Sequence, residues 1–300
     1  MFGHGTQDHT PMARLATTRG EAMSGSALSV AQMAALQSSL QALVQEVGAR
    51  REEERSRQQQ HEAEARELAA ASSSPRKHSA AYFAADLVLR EEETGFELWI
   101  GSLEDALNLR ALHERGISAV LNCAVEDCQA ECACFRPTRS ARPRCHTRNQ
   151  SMEEGTLGSG WIGLQRDQIW SLASFDADWY SDVLECEVSY SALPAKDEAG
   201  YEMCQHFSEV IEFLSGARRS GQKVLVHCVM GINRSVAASV AFLTEGMGMP
   251  LKAAVALTAE RRGCVLSNNS FLDQLITSFA DPKGDSFEEV RNSAALKVVL

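Results

Sequence analysis

The segment from His227 to Ser235 reads HCVMGINRS and places an arginine after a cysteine with five residues between them. The apolar run VLV just before it predicts a strand that ends at Cys228, and the residues from Arg234 onwards predict a helix. Unpaired N–H groups and the positive dipole end of such a helix favour the thiolate form of a nearby cysteine. We therefore expect Cys228 to act as a nucleophile at neutral pH.

The residues between the cysteine and the arginine are predicted to form a loop that binds a tetrahedral anion. Their backbone N–H groups can point inward around it: Val229, Met230, Gly231, Ile232 and Asn233. Gly231 relieves the tight backbone, and the planar guanidinium of Arg234 can bind two phosphate oxygens at once. Ser235 can donate its hydroxyl to the departing sulfur, and we expect His227 to orient the loop through hydrogen bonds. This set of residues indicates phosphoryl transfer.

A cysteine nucleophile of this kind needs a general acid for the leaving oxygen and later a base for water. Asp197 is the preferred candidate, because it lies on a predicted loop before the amphipathic helix that leads back to the catalytic strand. Asp176, Asp178 and Asp182 are weaker candidates. We expect Asp197 to overhang the loop.

The composition excludes several classes of protein. The chain has 300 residues, with 29 Lys and Arg against 40 Asp and Glu, and its formal net charge is −11. Binding to nucleic acid or to an anionic membrane through overall charge is therefore not expected. No apolar run is long enough to cross a bilayer, and the N-terminus lacks the apolar core of a signal peptide. We expect a cytoplasmic protein, with the nucleus as an alternative, and reduced thiols for its 9 cysteines.

The N-terminal third divides into three segments. Residues 1–26 are polar and are predicted to be disordered, whereas 27–70 are rich in helix-forming residues and 71–95 read as a linker. Within 27–70, apolar residues alternate at spacings of three and four, as in a coiled coil: Met33, Leu36, Leu40, Leu43 and Val47. Because the pattern lasts only two heptads, two interpretations stay open. The segment is either a charged helical spacer or a surface for self-association or partner binding.

Residues 96–280 are predicted to form one α/β domain, followed by a tail at 281–300. The stretches ELWIGS, ISAVLNCA and VLECEVSY indicate strands, and Ser102 with Asp105 forms a capping box that opens a helix. A further amphipathic helix begins near Met203 and ends near Gly221. Strands and helices in close alternation indicate an α/β fold.

The stretch from about 126 to 175 has no clear periodicity and is predicted to be an inserted surface loop. It holds several residues that bind zinc in other proteins: Cys128, Cys132, Cys134, Cys145 and His146. Their spacing contains no C-x2-C pair and matches no standard zinc motif. We expect incidental thiols and no metal site.

These motifs resemble the dual-specificity protein phosphatases of the cysteine-dependent tyrosine phosphatase superfamily. The matching stretches are ELWIGSLEDALNLRALHERGISAVLNCA, LPAKDEAGYEMCQHFSEVIEFL, KVLVHCVMGINRS, AFLTEGMGMPLKAAVALTAERR and LSNNSFLDQL. The resemblance implies a mixed five-stranded sheet flanked by helices and hydrolysis without metal or cofactor. It also implies that Cys228 is the nucleophile, Arg234 the phosphate clamp, Asp197 the general acid, and Asn268 a brace for the phosphate loop.

The implied substrate is a phosphorylated protein. Apart from Arg234 the loop carries no cation, whereas a pocket for inositol phosphates would be expected to add lysines. The first 95 residues are too polar to form the docking domain of the mitogen-activated-kinase phosphatases, so the resemblance favours an atypical, single-domain enzyme. Two alternatives stay open: a scaffold that binds phosphopeptides without turnover, and an RNA 5′-phosphatase of the same superfamily.

Overall fold

A computed structural model describes residues 28–70, 85–134 and 166–280. The predictions for residues 1–26 and for the tail at 281–300 lie outside these ranges, as do Cys145 and His146 of the insertion. Within the described ranges, no helix is long and apolar enough to span a membrane.

A five-stranded sheet forms the centre of the domain. Its strands are β1 (Asp86–Arg90), β2 (Glu97–Gly101), β3 (Ala119–Asn122), β4 (Ser189–Ala192) and β5 (Lys223–His227), in the spatial order β1-β2-β5-β3-β4. The last four strands in that order are parallel, and β1 pairs antiparallel with β2 at one edge. The predicted mixed sheet of about five strands is thus confirmed.

The sheet begins earlier in the chain than the linker predicted over 71–95 allows. Within that range, β1 already pairs with β2, and Val88 and Leu89 are buried. Its sequence signal is weak because β1 has only five residues and because a largely polar turn at 91–96 separates it from β2. The linker prediction is therefore wrong for residues 86–95.

Helices cover both faces of the sheet. They are α1 (Val30–Ala70), α2 (Leu103–Ala106), α3 (Leu109–Arg115), α4 (Val125–Ala133), α5 (Arg166–Leu172), α6 (Ala177–Leu184), α7 (Phe207–Arg219), α8 (Arg234–Ala241), α9 (Leu251–Arg262) and α10 (Asn269–Phe279). The predicted capping box is present, since the Ser102 and Asp105 side chains bond each other's backbone N–H groups at the start of α2. The amphipathic helix begins with a 3-10 turn at Met203–His206 and continues as α7.

The insertion predicted over 126–175 is not entirely a loop. Its described ends form α4 and α5, and the α4 residues Cys128 and Cys132 are buried in the core. The buried side of α4 consists of thiols, which form a weaker apolar pattern in a sequence than aliphatic side chains do. The strand predicted for VLECEVSY is also misplaced, because Val183 and Leu184 end α6 and β4 begins only at Ser189.

The N-terminal helix α1 packs on the domain along its first half, so of the two interpretations the charged spacer does not hold there. Leu40 is completely buried and Val47 nearly so, while the other members of the apolar stripe are half-buried against the same core. The Arg51 guanidinium also donates to the Arg261 carbonyl at the end of α9, at 2.7 Å. The stripe that resembled a coiled-coil seam is thus covered by this chain's own α9 and α10.

Candidate active site

Four parallel strands end at the same edge of the sheet and bring the candidate residues together there. Cys228 follows β5, and its neighbours in the sheet end at Gly101 on one side and Asn122 on the other. The segment after β4 carries Asp197 towards the same edge. This is the edge at which open α/β sheets bind their ligands.

The loop after β5 wraps around the Cys228 sulfur. The backbone N–H of Gly231 donates to Cys228 Sγ at 3.1 Å, and Ser235 Oγ lies 3.4 Å from the same atom. Ser235 is buried in the first turn of α8, immediately after Arg234. The sulfur is thus contacted by two of the groups that the sequence predicted for it.

Gly231 is required at its position by both conformation and space. Its φ of +71° lies in the left-handed region, which side chains other than glycine adopt only at a cost. A Cβ atom there would overlap the Arg262 guanidinium and lie 2.6 Å from the carbonyl oxygen of Gly101. The neighbouring Met230 side chain is exposed at the rim of the loop.

Arg234 is almost entirely buried, and hydrogen bonds from one terminal nitrogen hold its guanidinium. Its Nη1 donates to the Asp127 carboxylate and, at 2.9 Å, to the Ala195 carbonyl. Burial by itself lowers the pKa of Arg234, but the hydrogen bond to Asp127 and the nearby charges of Cys228, Asp127 and Asp197 raise it above its ordinary value overall. Nε is buried and has no hydrogen-bond partner among the described residues.

Sequence reasoning missed Asp127, which lies on α4 inside the predicted insertion. Nothing in its local pattern distinguishes it from the neighbouring Glu126, which pairs at the surface with Lys196 at 3.2 Å. Only the position of α4 relative to α8 shows which of the two carboxylates reaches Arg234.

Replacing Asp127 with alanine is expected to lower kcat/KM about 10- to 100-fold, because the guanidinium loses the charged partner that orients it. Stability should fall by about 1–3 kcal/mol, since the buried guanidinium loses a charged acceptor and Nη1 keeps only the neutral Ala195 carbonyl. Steady-state kinetics and thermal melting check both effects. Glu126→Ala is the matched control and should change either quantity little, because it removes an exposed ion pair. Equal kinetic losses in both variants would contradict this role for Asp127.

Asp197 lies at the edge of the phosphate loop, where two asparagines hold its carboxylate. Asn233 Nδ2 donates to it at 3.0 and 3.2 Å, and Asn268 Nδ2 at 3.0 Å. The competing carboxylates lie elsewhere. Asp176 caps α6 by accepting from the Trp179 N–H, and Asp178 and Asp182 are exposed on that helix. Of the four candidates, Asp197 is the one bonded to the loop.

Asn268 contacts the loop through its backbone, and its side chain holds the acid segment. Its N–H donates to Asn233 Oδ1 at 3.1 Å, and Ser267 Oγ donates to the same oxygen. Its Nδ2 bonds Asp197 and the Glu198 carbonyl. Asn268 therefore joins the segment that carries Asp197 to the loop that surrounds Cys228.

His227 does not orient the loop through side-chain hydrogen bonds as predicted. Neither ring nitrogen has a hydrogen-bond partner in the part of the chain that the structure describes. Burial lowers the pKa of His227 to about 3, outweighing the opposing effect of the Cys228 backbone. The neutral ring packs near Phe175, with centroids 6.5 Å apart, and the His227 carbonyl accepts from Cys123 N–H. His227 thus supports the site by packing and backbone pairing.

The other thiols near the site are buried. Burial is the main reason that the pKa values of Cys123 and Cys128 are raised, which keeps both protonated at neutral pH. Among the described residues, no three His, Cys, Asp or Glu side chains are grouped as metal ligands would be.

Comparison with known proteins finds a family model, curated relatives and solved structures that are similar to parts of the chain. The family model "Dual specificity phosphatase, catalytic domain" matches residues 175–280. The chain is 33% identical over 91 residues to Dual specificity protein phosphatase Mpk3 of Drosophila melanogaster, covering 30% of this chain and 22% of that protein. It is 36% identical over 87 residues to mouse Dual specificity protein phosphatase 2, covering 29% and 27%.

A similar solved structure is that of human DUSP28, with 18% identity, a TM-score of 0.40, and coverage of 66% of this chain and 94% of that one. The chain spans about a quarter of the length of the curated relatives it matches.

Proposed function

We propose that the chain is a dual specificity phosphatase that hydrolyses phosphotyrosine and phosphoserine or phosphothreonine in proteins through a phosphocysteine intermediate, since its residues 175–280 match the catalytic domain of that family. One observation carries the proposal. The Cys228 sulfur accepts an N–H from within a loop that is followed directly by Arg234, whose buried Nε has no hydrogen-bond partner among the described residues. A nucleophile inside an anion-binding ring is suited to accept a phosphoryl group.

In the first step, the Cys228 thiolate attacks the phosphorus of the substrate. An S–P bond forms as the P–O bond to the substrate side chain breaks. The loop N–H groups and Arg234 stabilise the charge on the three remaining phosphoryl oxygens. Asp197, at the loop edge, donates its proton to the departing oxygen. The dephosphorylated protein then leaves, and the phosphoryl group remains on the enzyme.

In the second step, water attacks the phosphocysteine. The Asp197 carboxylate takes a proton from the water as a P–O bond forms and the S–P bond breaks. Ser235 Oγ, at 3.4 Å from the sulfur, donates a hydrogen bond to the thiolate as it leaves. Release of phosphate returns Asp197 protonated and Cys228 as the thiolate.

The charge around the loop favours a single phosphate on a protein. The side chains at positions 229–233 are uncharged, and Met230 presents an exposed apolar surface beside the site. The nearby Lys196 is paired with Glu126. These features support a shallow pocket for a phosphorylated side chain more than one for a multiply charged inositol phosphate.

The test compares substrates on the full chain in the presence of a metal chelator. We expect turnover of p-nitrophenyl phosphate and of peptides carrying phosphotyrosine and phosphothreonine, and much slower release from a 5′-triphosphorylated RNA. Rapid acid quenching with a ³²P-labelled phosphopeptide should trap the label on the protein.

Binding of phosphopeptides without release of phosphate would contradict the proposal and support the scaffold interpretation. Faster release from the RNA than from any phosphopeptide would support the RNA 5′-phosphatase. Hydrolysis without label on the protein would exclude the phosphocysteine step.

A further inference from the structure

We propose that Arg262, at the end of α9, is a positioning residue that holds the phosphate loop open for its anion. The proposal rests on the proposed function, because it concerns the same loop. Arg262 Nε donates to the Gly231 carbonyl at 2.7 Å, and Nη2 lies at a longer 3.4 Å from the Met230 carbonyl. Neither contact reaches Cys228. The effect of Arg262 on the reaction must therefore pass through the loop backbone.

Every carbonyl from Val229 to Ile232 is bonded to a group outside the loop. The Val229 carbonyl accepts from the Leu103 N–H at 3.1 Å, and the Ile232 carbonyl accepts from the Leu266 N–H at 2.9 Å. The two carbonyls between them are those that Arg262 binds. One side chain thus holds two of these four carbonyls.

Holding these carbonyls outward turns the next N–H groups inward. In a planar trans peptide the C=O and the following N–H point in opposite directions, and the described chain has no cis peptide. The Met230 carbonyl therefore sets the direction of the Gly231 N–H, and this N–H does point at the Cys228 sulfur. By the same geometry, the bond to the Gly231 carbonyl sets the direction of the Ile232 N–H.

Arg262 is itself held in place by its surroundings. Its Nη1 pairs with Asp86 of β1 at 2.8 Å, and its side chain is only 11% exposed. The end of α9 that carries it is bonded to Arg51 of α1 through the Arg261 carbonyl. A guanidinium can serve a carboxylate and two carbonyls at once because its five donors lie in a fixed plane. A lysine ammonium has three donors on a flexible stem and could not span the same three acceptors as well.

Gly231 and Arg262 also depend on each other sterically. The guanidinium occupies the space that a Cβ at position 231 would need. The close approach that gives the 2.7 Å bond is therefore possible only with glycine in the loop. The contact with Arg262 thus explains why Gly231 needs space as well as the backbone freedom predicted from the sequence.

The experiment compares Arg262→Met, Arg262→Lys and the control Arg218→Met in the full chain. Arg218 also makes charge-assisted hydrogen bonds to a carboxylate, that of Glu91, but far from the loop. The measurements are kcat and KM for p-nitrophenyl phosphate, the inhibition constant of orthovanadate as a phosphate-like anion, and the melting temperature. Arg262→Met is expected to weaken vanadate binding and to lower kcat at least about tenfold each, because the loop N–H groups are misdirected. Arg262→Lys should restore part of both.

Arg218→Met should lose about as much stability as Arg262→Met while keeping the wild-type inhibition constant for vanadate. The inference is overturned if Arg262→Met also keeps the wild-type inhibition constant for vanadate. It is overturned as well if both variants lose vanadate binding in proportion to the fall in their melting temperatures, because Arg262 is then a structural residue only. If the wild-type chain neither turns over substrate nor binds vanadate, the proposed function itself fails, which is a distinguishable result.

Discussion

Replacing Cys228 by serine is expected to lower kcat for p-nitrophenyl phosphate by roughly 10⁴-fold or more, because a neutral hydroxyl is a far weaker nucleophile than a thiolate. The substitution changes one atom and leaves an acceptor for the Gly231 N–H that now bonds Sγ at 3.1 Å. The loop should therefore keep its shape. We expect the variant to bind phosphopeptides with an affinity near that of the wild type while releasing almost no phosphate.

Cys204→Ser is the matched control, since it makes the same chemical change at an exposed thiol. It should retain wild-type turnover and melting temperature. Turnover by Cys228→Ser above a few per cent of wild type would show that another group attacks phosphorus. Loss of phosphopeptide binding together with turnover, at unchanged melting temperature, would show that the sulfur is needed to shape the loop.

Replacing Asp197 by asparagine should slow hydrolysis of a phosphothreonine peptide by about 10²- to 10⁴-fold, the usual contribution of a general acid. The amide oxygen can still accept from Asn233 and Asn268, which now bond the carboxylate, so the local structure should persist. The loss should be smaller for p-nitrophenyl phosphate, because nitrophenolate is a stable leaving group without a proton. Steady-state kinetics on the two substrates measure the difference.

Asp182→Asn provides the control for Asp197→Asn. Asp182 was a competing candidate from the sequence and is exposed on α6, so its replacement should leave both substrates unaffected. An equal loss on both substrates in Asp197→Asn would contradict proton donation to the leaving group. A larger loss in Asp182→Asn would indicate that Asp182 of α6 is the general acid.

Much of the site follows from local sequence because its chemistry is concentrated in one segment. The strand β5, the loop and the start of α8 lie within Lys223–Ala241, so the spacing of Cys228 and Arg234 carries the loop geometry with it. Asp197 and Asn268 lie further away in sequence. The position of Asp197 before the amphipathic helix predicted it, whereas only the resemblance to a family pointed to Asn268. The structure brings their side chains to within 3.0 Å of each other.

The partners of the loop could not be read in this way. Asp127 and Arg262 look like ordinary surface charges in their own helices. Their proposed roles depend on contacts across the fold, of Asp127 with Arg234 and of Arg262 with the loop carbonyls. The stripe on α1 shows the same limit. Its spacing of three and four indicates an apolar face. The same pattern would suit a face covered by a coiled-coil partner or one covered by the chain's own α9 and α10.

The order of residues along the chain was thus sufficient to predict the candidate nucleophile, the loop around it and the alternation of strands and helices, because each depends on neighbours within a few positions. Tertiary structure alone decided which carboxylate supports Arg234, which arginine holds the loop carbonyls, and what the N-terminal helix covers. These contacts join segments that are distant in sequence, as Asp127 and Arg234 are, or bring the end of one helix to a loop, as Arg262 of α9 meets Gly231. Such distances cannot be read from the spacing of residues along the chain, because they are fixed only when the helices pack around the sheet.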